Sequence, residues 1–148
     1  VEKIEIDTDN YRKWTVNGIR IITNPFRFTP EKYKIRFGAK ISVTYENNIQ
    51  CIFKGRVRHS GDAKDHISLQ GNSILQSLDI HLKDGNINGI TKFKLFLPET
   101  RNNPDEEIVI TEIFRSLNIL APRTFFINVD NQSNNYLALF QEKIVLTN

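Results

Sequence analysis

The residues with the most chemical potential lie in one stretch, KFKLFLPETRNNPDEEIVITEIF (92–114). In a strand, successive side chains point to opposite faces. Lys92, Lys94 and Phe96 therefore share one face, and Phe93, Leu95 and Leu97 the other. The helix that follows opens with Asp105, Glu106 and Glu107. A strand lysine paired with a helix carboxylate can hold a phosphate: the ammonium contacts the phosphoryl oxygens and the carboxylate orients the ammonium. Lys94 is the better placed of the two lysines, because it lies deeper in the strand. Glu106 falls about two turns before Ile113, within the apolar stripe Val109, Ile110, Ile113 and Leu117. A carboxylate on a buried stripe is costly unless paired. Glu106 is thus the first candidate partner for Lys94, and Glu107, on the flank of the stripe, the second. The plainer reading is a well-made helix start. Asn103 suits the N-cap, Pro104 the first helical position, and the acids the positive end of the helix dipole. Asn103 with Glu106 resembles a capping box.

Other candidates are weaker in pattern. Arg56 and Arg58 share a strand face with Lys54, a basic ridge for phosphate contact or for solvent. His59 and His66 flank SGDAKD, where Asp62 and Asp65 make a divalent-ion loop or an acid/base pair conceivable. The His-x-x-x-His spacing of a zinc site is missing, and His81 stands apart. Ser60 and Ser73 lack a nucleophile context. The glycines of GDAKDHISLQGN are ten residues apart, too loose for a phosphate loop. Cys51, the single cysteine, precludes an internal disulfide and reads as a small buried hydrophobe within IQCIF. No catalytic set emerges.

These positions must be held by a domain of ordinary composition: 148 residues, 39% hydrophobic and 25% charged. Residues 1–60 carry 12 Lys/Arg against 6 Asp/Glu, and the remainder carries 8 against 11. A basic first half suits phosphates or an acidic partner. The basic residues are scattered through strand-like segments, without paired zinc ligands or a ribonucleoprotein aromatic motif, which argues against nucleic acid. No apolar run approaches the roughly 20 residues of a membrane span. The chain starts at Val1 and has no methionine, which suits a mature or excised fragment.

Short β runs separated by Asn, Gly and Asp turns dominate. KISVTYE (40–46) and IQCIFKGRVRH (49–59) form a hairpin, as do SLDIHL (77–82) with ITKFKLFLP (90–98), and TFFINV (124–129) with YLALFQEKI (136–144). WTVNGIRII (14–22) reads as a strand, and 24–38, interrupted by Pro25 and Pro30, as a loop. One helix is expected over about 104–117, stopped at Asn118 and then Pro122. The expected fold class is α+β: a mostly antiparallel sheet of about eight short strands with one main helix packed on it, in a single domain over 1–148.

From residue 56 onward the order of features resembles the N-terminal half of the CotH-like, spore-coat-type family of atypical protein kinases. The residues that carry the resemblance are RVRHSGD (56–62), SLDIHL, NGITKFKLFLPE (88–99), EEIVITEIFRSLNILAPRTFFINV (106–129) and NYLALFQEKI (135–144), with FRSLNILAPRT the most specific. The likeness implies a kinase N-lobe-like domain that binds ATP with Mg²⁺ together with a C-terminal lobe missing from this chain. Lys94 would contact phosphate, Glu106 or Glu107 would orient it, and Arg56 and Arg58 would lie nearby. Asn118 stands where the family usually has Gly, SLDIHL lacks the usual lysines, and HSGDAKDH departs from Gly-Asn-Ser-Ser. The family's catalytic and metal-binding aspartates would lie beyond the last strand seen here, so phosphoryl transfer needs groups from elsewhere. The alternative is a non-catalytic β-rich binding or assembly module on the same scaffold, with another protein as its partner.

Overall fold

The structure, a computed structural model, describes residues 1–61, 67–70, 73–132 and 134–145. The three expected hairpins are present. They are β2 (Phe37–Thr44) with β3 (Gln50–His59), β6 (Leu78–Leu82) with β7 (Lys92–Phe96), and β8 (Thr124–Asn131) with β9 (Asn134–Glu142). Each alternates apolar and polar residues and is joined by turn-forming residues. In the β2–β3 turn Asn48 takes a positive φ of 62°, which Asn tolerates better than most residues.

The expected open sheet is not what these hairpins build. Residues Lys3–Thr8 form a further strand, β1, whose Ile4, Ile6 and Thr8 are buried. β1 runs antiparallel to β2 and parallel to β8, pairing Ile4 with Val43 on one side and Val129 on the other. It closes a seven-stranded barrel in the order β1-β2-β3-β6-β7-β9-β8. The sheet is therefore mixed, with one parallel joint, and closure removes the exposed strand edges of an open sheet. β4 (Ile67–Gln70) and β5 (Ser73–Gln76) form a separate two-stranded hairpin.

The interior is filled by inward residues of every barrel strand, among them Ile4, Ile41, Val57, Ile80, Phe93 and Phe140. Phe140 stacks between Phe93 and Phe125 at centroid distances of 4.6 and 4.5 Å. Burying one such side chain stabilises the fold by about 1.5–3 kcal/mol.

Among the described residues there are two α-helices where one was expected. The segment read as a strand over 14–22 is α1 (Tyr11–Thr23). Asn10 caps it, its side-chain oxygen accepting from the Lys13 amide at 3.1 Å. Trp14, Asn17, Gly18 and Ile21 are its buried stripe at helical spacing. Asn and Gly hide that stripe in the sequence, so the β-branched residues beside them suggested a strand.

α2 (Pro104–Ser116) starts and stops as expected. Its end is a Schellman cap: Ile119 N–H donates to the Phe114 carbonyl, Asn118 N–H donates to that of Arg115, and Asn118 takes a φ of 58°. The side it turns to the barrel is not the expected one. Pro104, Glu107, Ile108 and Thr111 are half-buried, whereas Val109, Ile110, Ile113 and Leu117 are exposed. At about 100° per residue these sets lie on nearly opposite sides of the helix.

Candidate functional site: a basic face around a buried aspartate

Cross-strand register places four polar residues in one row on the outside of the barrel. Arg58 of β3 faces Asp79 of β6, Asp79 faces Lys94 of β7, and Lys94 faces Gln141 of β9. A second row pairs Arg56 with His81 and His81 with Lys92. The alternation that sends Leu78, Ile80 and Leu82 inward dictates this, because it sends Asp79 and His81 outward.

Although on the outer face, Asp79 is fully buried, covered by the side chains around it. Lys143 Nζ donates to its Oδ2 at 3.0 Å, and Arg36 Nη2 to its Oδ1 at 3.3 Å. Arg58 Nη2 lies 3.6 Å from Oδ2, and His81 Nε2 3.2 Å from Oδ1. Burial alone would raise the Asp79 pKa; the hydrogen bond and charge of Lys143, with the charges of Arg36 and Arg58, outweigh it and hold the carboxyl below its ordinary range. Burial, reinforced by Arg36, lowers the His81 pKa, so His81 is neutral at pH 7. Among the described residues, one carboxylate is thus shared by three cations, Lys143, Arg36 and Arg58. Arg36 Nη1 and Arg58 Nε find no acceptor among the described residues.

The corner beside Lys94 is organised by Glu107. Arg101 grips it with two hydrogen bonds, Nε to Oε2 at 3.1 Å and Nη2 to Oε1 at 2.6 Å, and Gln141 Nε2 donates to Oε1 at 2.8 Å. Burial pulls the Glu107 pKa up, but the Arg101 and Gln141 hydrogen bonds bring it below the usual range. The Phe96 ring lies under the Arg101 guanidinium at 4.2 Å, with Lys94 Nζ 5.8 Å from its centroid.

Of the residues singled out from the sequence, Lys94 and Arg58 therefore share a row through Asp79. Glu107 reaches that row through Gln141, with Arg101 as its charge partner. Arg56 sits one register step away and is exposed. Glu106 is exposed and bonded to its own cap, accepting from Asn103 Nδ2 at 3.1 Å. The Asn103 cap makes no side-chain bond to the helix backbone.

Sequence reasoning missed Asp79, Arg36, Lys143, Arg101 and Gln141. Asp79 carried a usable signal, since aspartate is depleted in strands and one between Leu78 and Ile80 demands a partner. Arg123 has a structural role: it donates to the Asn88 carbonyl at 2.6 Å and clamps Glu142 at 3.1 Å.

Among the described residues no three His, Cys, Asp or Glu side chains come together as metal ligands. His59 is buried and stacked on Trp14 at 3.8 Å, its pKa lowered by burial to about 4. Asp62, Asp65 and His66 lie outside the described residues. Among the described residues no helix is long and apolar enough to cross a membrane.

Fold and face together define a class: a small closed mixed β-barrel with a cationic outer face built around one buried acid. Neither a family model nor a curated protein matches the chain. The likeness to the CotH-like kinases rests on the residue stretches quoted above.

Proposed function

We infer that the outer face of β3, β6, β7 and β9 binds phosphate groups, and that the domain is the nucleotide-binding lobe of a two-part, CotH-like assembly. The observation that carries this is the row Arg58–Asp79–Lys94–Gln141, where three cations surround one carboxylate and a lysine stands next in register. Several cations around one acid form a standing attraction for a multivalent anion. Lys94 is the group for the phosphoryl oxygens, with Arg58 and Arg56 beside it. Glu107, not Glu106, is the helix carboxylate in position to influence that lysine, acting through Gln141. ATP suits this donor set through its phosphates. Mg²⁺ has no ligand cluster on the described residues, so it would come with the nucleotide or be held by the other lobe. The chain's own residues bind and orient; the base and metal ligands of phosphoryl transfer would belong to the partner.

A differential thermal melt of the chain with ATP, tripolyphosphate and adenosine tests this. ATP and tripolyphosphate should both stabilise, by about 2.7 kcal/mol at 100 times the dissociation constant, and adenosine should not. Lack of stabilisation by either polyphosphate overturns the reading.

The second reading, a non-catalytic assembly module, draws on a different observation. Ile110, Ile113, Phe114, Leu117 and Leu120 are between 43% and 70% exposed along α2 and the turn after it. So many apolar side chains on one surface suit coverage by a second lobe or another protein. Co-purification of a stable complex whose formation is lost in Ile113→Asp/Leu117→Asp, without any polyphosphate binding, would favour it.

A further inference from the structure

A second basic surface lies on α1 and the chain after it. Residues 11–37 contain seven Lys/Arg and one acid, Glu31. Two of the seven are engaged: Arg36 by Asp79, and Lys34 by Glu31 at 2.8 Å. Among the described residues no carboxylate pairs with Arg12, Lys13, Arg20, Arg27 or Lys32. Arg12, Lys13 and Arg20 line a groove of about 700 Å³ whose apolar wall is Val16, Ile35 and Phe37. After α1 the chain bends through 25–27 to Phe28, which makes a β-bridge, and the bend is pinned at both ends. Asn24 is buried and donates to the Ile21 carbonyl at 2.6 Å while accepting from Phe26 N–H at 3.0 Å, and Thr29 is buried. Between these anchors Phe26 and Phe28 are 62% and 58% exposed, and the Arg27 guanidinium lies 5.5 Å from the Phe28 centroid.

We propose that α1 and the 25–28 segment dock the protein on an anionic lipid surface, with headgroup phosphates held by Arg12, Lys13 and Arg20 and the Phe26 and Phe28 rings set at the acyl boundary. Cations without a carboxylate partner that line a groove with exposed Val16 and Ile35, followed along the chain by exposed Phe26 and Phe28, match a layer that is anionic outside and apolar just beneath. Arg27 keeps its charge at headgroup level while its neighbours enter. Nucleic acid is the poorer match: Val16, Ile19 and Ile35 are exposed aliphatic groups, which a lipid boundary accepts and bases do not stack upon. The residues assigned to lipid are not those assigned to phosphate on the Asp79 face, so the proposal stands or falls independently of nucleotide binding.

The test is co-sedimentation of the full chain with phosphatidylcholine vesicles, with and without phosphatidylserine. Binding should require the anionic lipid and weaken as salt is raised, because the Debye length shrinks from about 8 Å at 0.15 M to about 3 Å at 1 M. Arg12→Gln/Lys13→Gln/Arg20→Gln should bind roughly fivefold more weakly per cation removed. Phe26→Ser/Phe28→Ser should lose most binding with its melting temperature unchanged. The proposal is overturned by no sedimentation with anionic vesicles, by equal binding to neutral ones, or by binding indifferent to salt. It is equally overturned if the chain binds a single-stranded oligonucleotide in preference to anionic vesicles, with an affinity that Phe26→Ser/Phe28→Ser leaves unmoved. The wild-type salt series decides even if a variant fails to fold.

Discussion

The two helices have the same length, 13 residues each, and opposite relations to the barrel. α1 hides Trp14 and Ile21 and turns its cations outward. α2 buries no residue fully and turns its aliphatic stripe outward, while a glutamate, an isoleucine and a threonine face the barrel. Amphipathic spacing shows that a helix has two faces; it does not say which one the domain covers. For α2 the decision is made by polar partners: Arg101 and Gln141 draw Glu107 inward and thereby set the rotation of the helix. The apolar stripe left outside is surface for something else.

The contrast can be broken or sharpened by measurement. The largest effect belongs to α1. Trp14→Ala should destabilise by about 3–5 kcal/mol in urea melts, because a large ring packed against Phe37 and His59 is removed. A loss below about 1 kcal/mol would mean that α1 rides on the surface as α2 does.

Next is the pH dependence of the group stacked on Trp14. His59 is neutral in the fold, with its pKa lowered from 6.5 to about 4. The unfolded chain takes up a proton as pH falls through 6.5 and the folded protein does not, so stability is present above that value. It is lost as pH falls towards 4, by up to about 3 kcal/mol at 1.36 kcal/mol per unit. The lowered pKa of His81 acts in the same direction. The depressed carboxyls of Asp79 and Glu107 lose their contribution further into acid. Chemical denaturation at pH 7 and pH 4.5 should show a drop in the wild type that is much smaller in His59→Phe, which keeps a stacked ring without a titrating one.

On α2 the effects should be small. Glu107→Gln weakens the Arg101 grip and should cost about 1 kcal/mol, discounted because a quarter of the side chain meets solvent. Ile113→Ala should change stability by less than about 0.5 kcal/mol. A cost of 2 kcal/mol or more would place the stripe against packed protein.

What the sequence disclosed follows the same divide. Hairpins were legible because alternation and Asn-rich turns are local signals, and so was the span of α2, written in its cap, its acids and Asn118. Closure was not legible. The parallel pairing of Ile4 with Val129 joins positions far apart in the chain, and nothing in VEKIEIDTDN names its partner. α1 was obscured because two of its four buried positions are Asn17 and Gly18. In the candidate site, Lys94, Arg58 and Glu107 could be picked out by type and strand face. Asp79 as their organiser could not, since the three cations around it, Arg36, Arg58 and Lys143, come from three other segments. The preference for Glu106 failed with the assumption that the apolar stripe faced inward.

The central claim is that phosphate binds on the Asp79 face through Lys94. Its most direct test is calorimetric titration of tripolyphosphate into the wild type, Lys94→Ala and Lys40→Gln, which removes an exposed cation of β2 assigned to neither basic surface. The account predicts binding to the wild type, about tenfold weaker binding to Lys94→Ala, the worth of one charge-assisted hydrogen bond, and little change in Lys40→Gln. Equal loss in both variants, or no heat with the wild type, would contradict it.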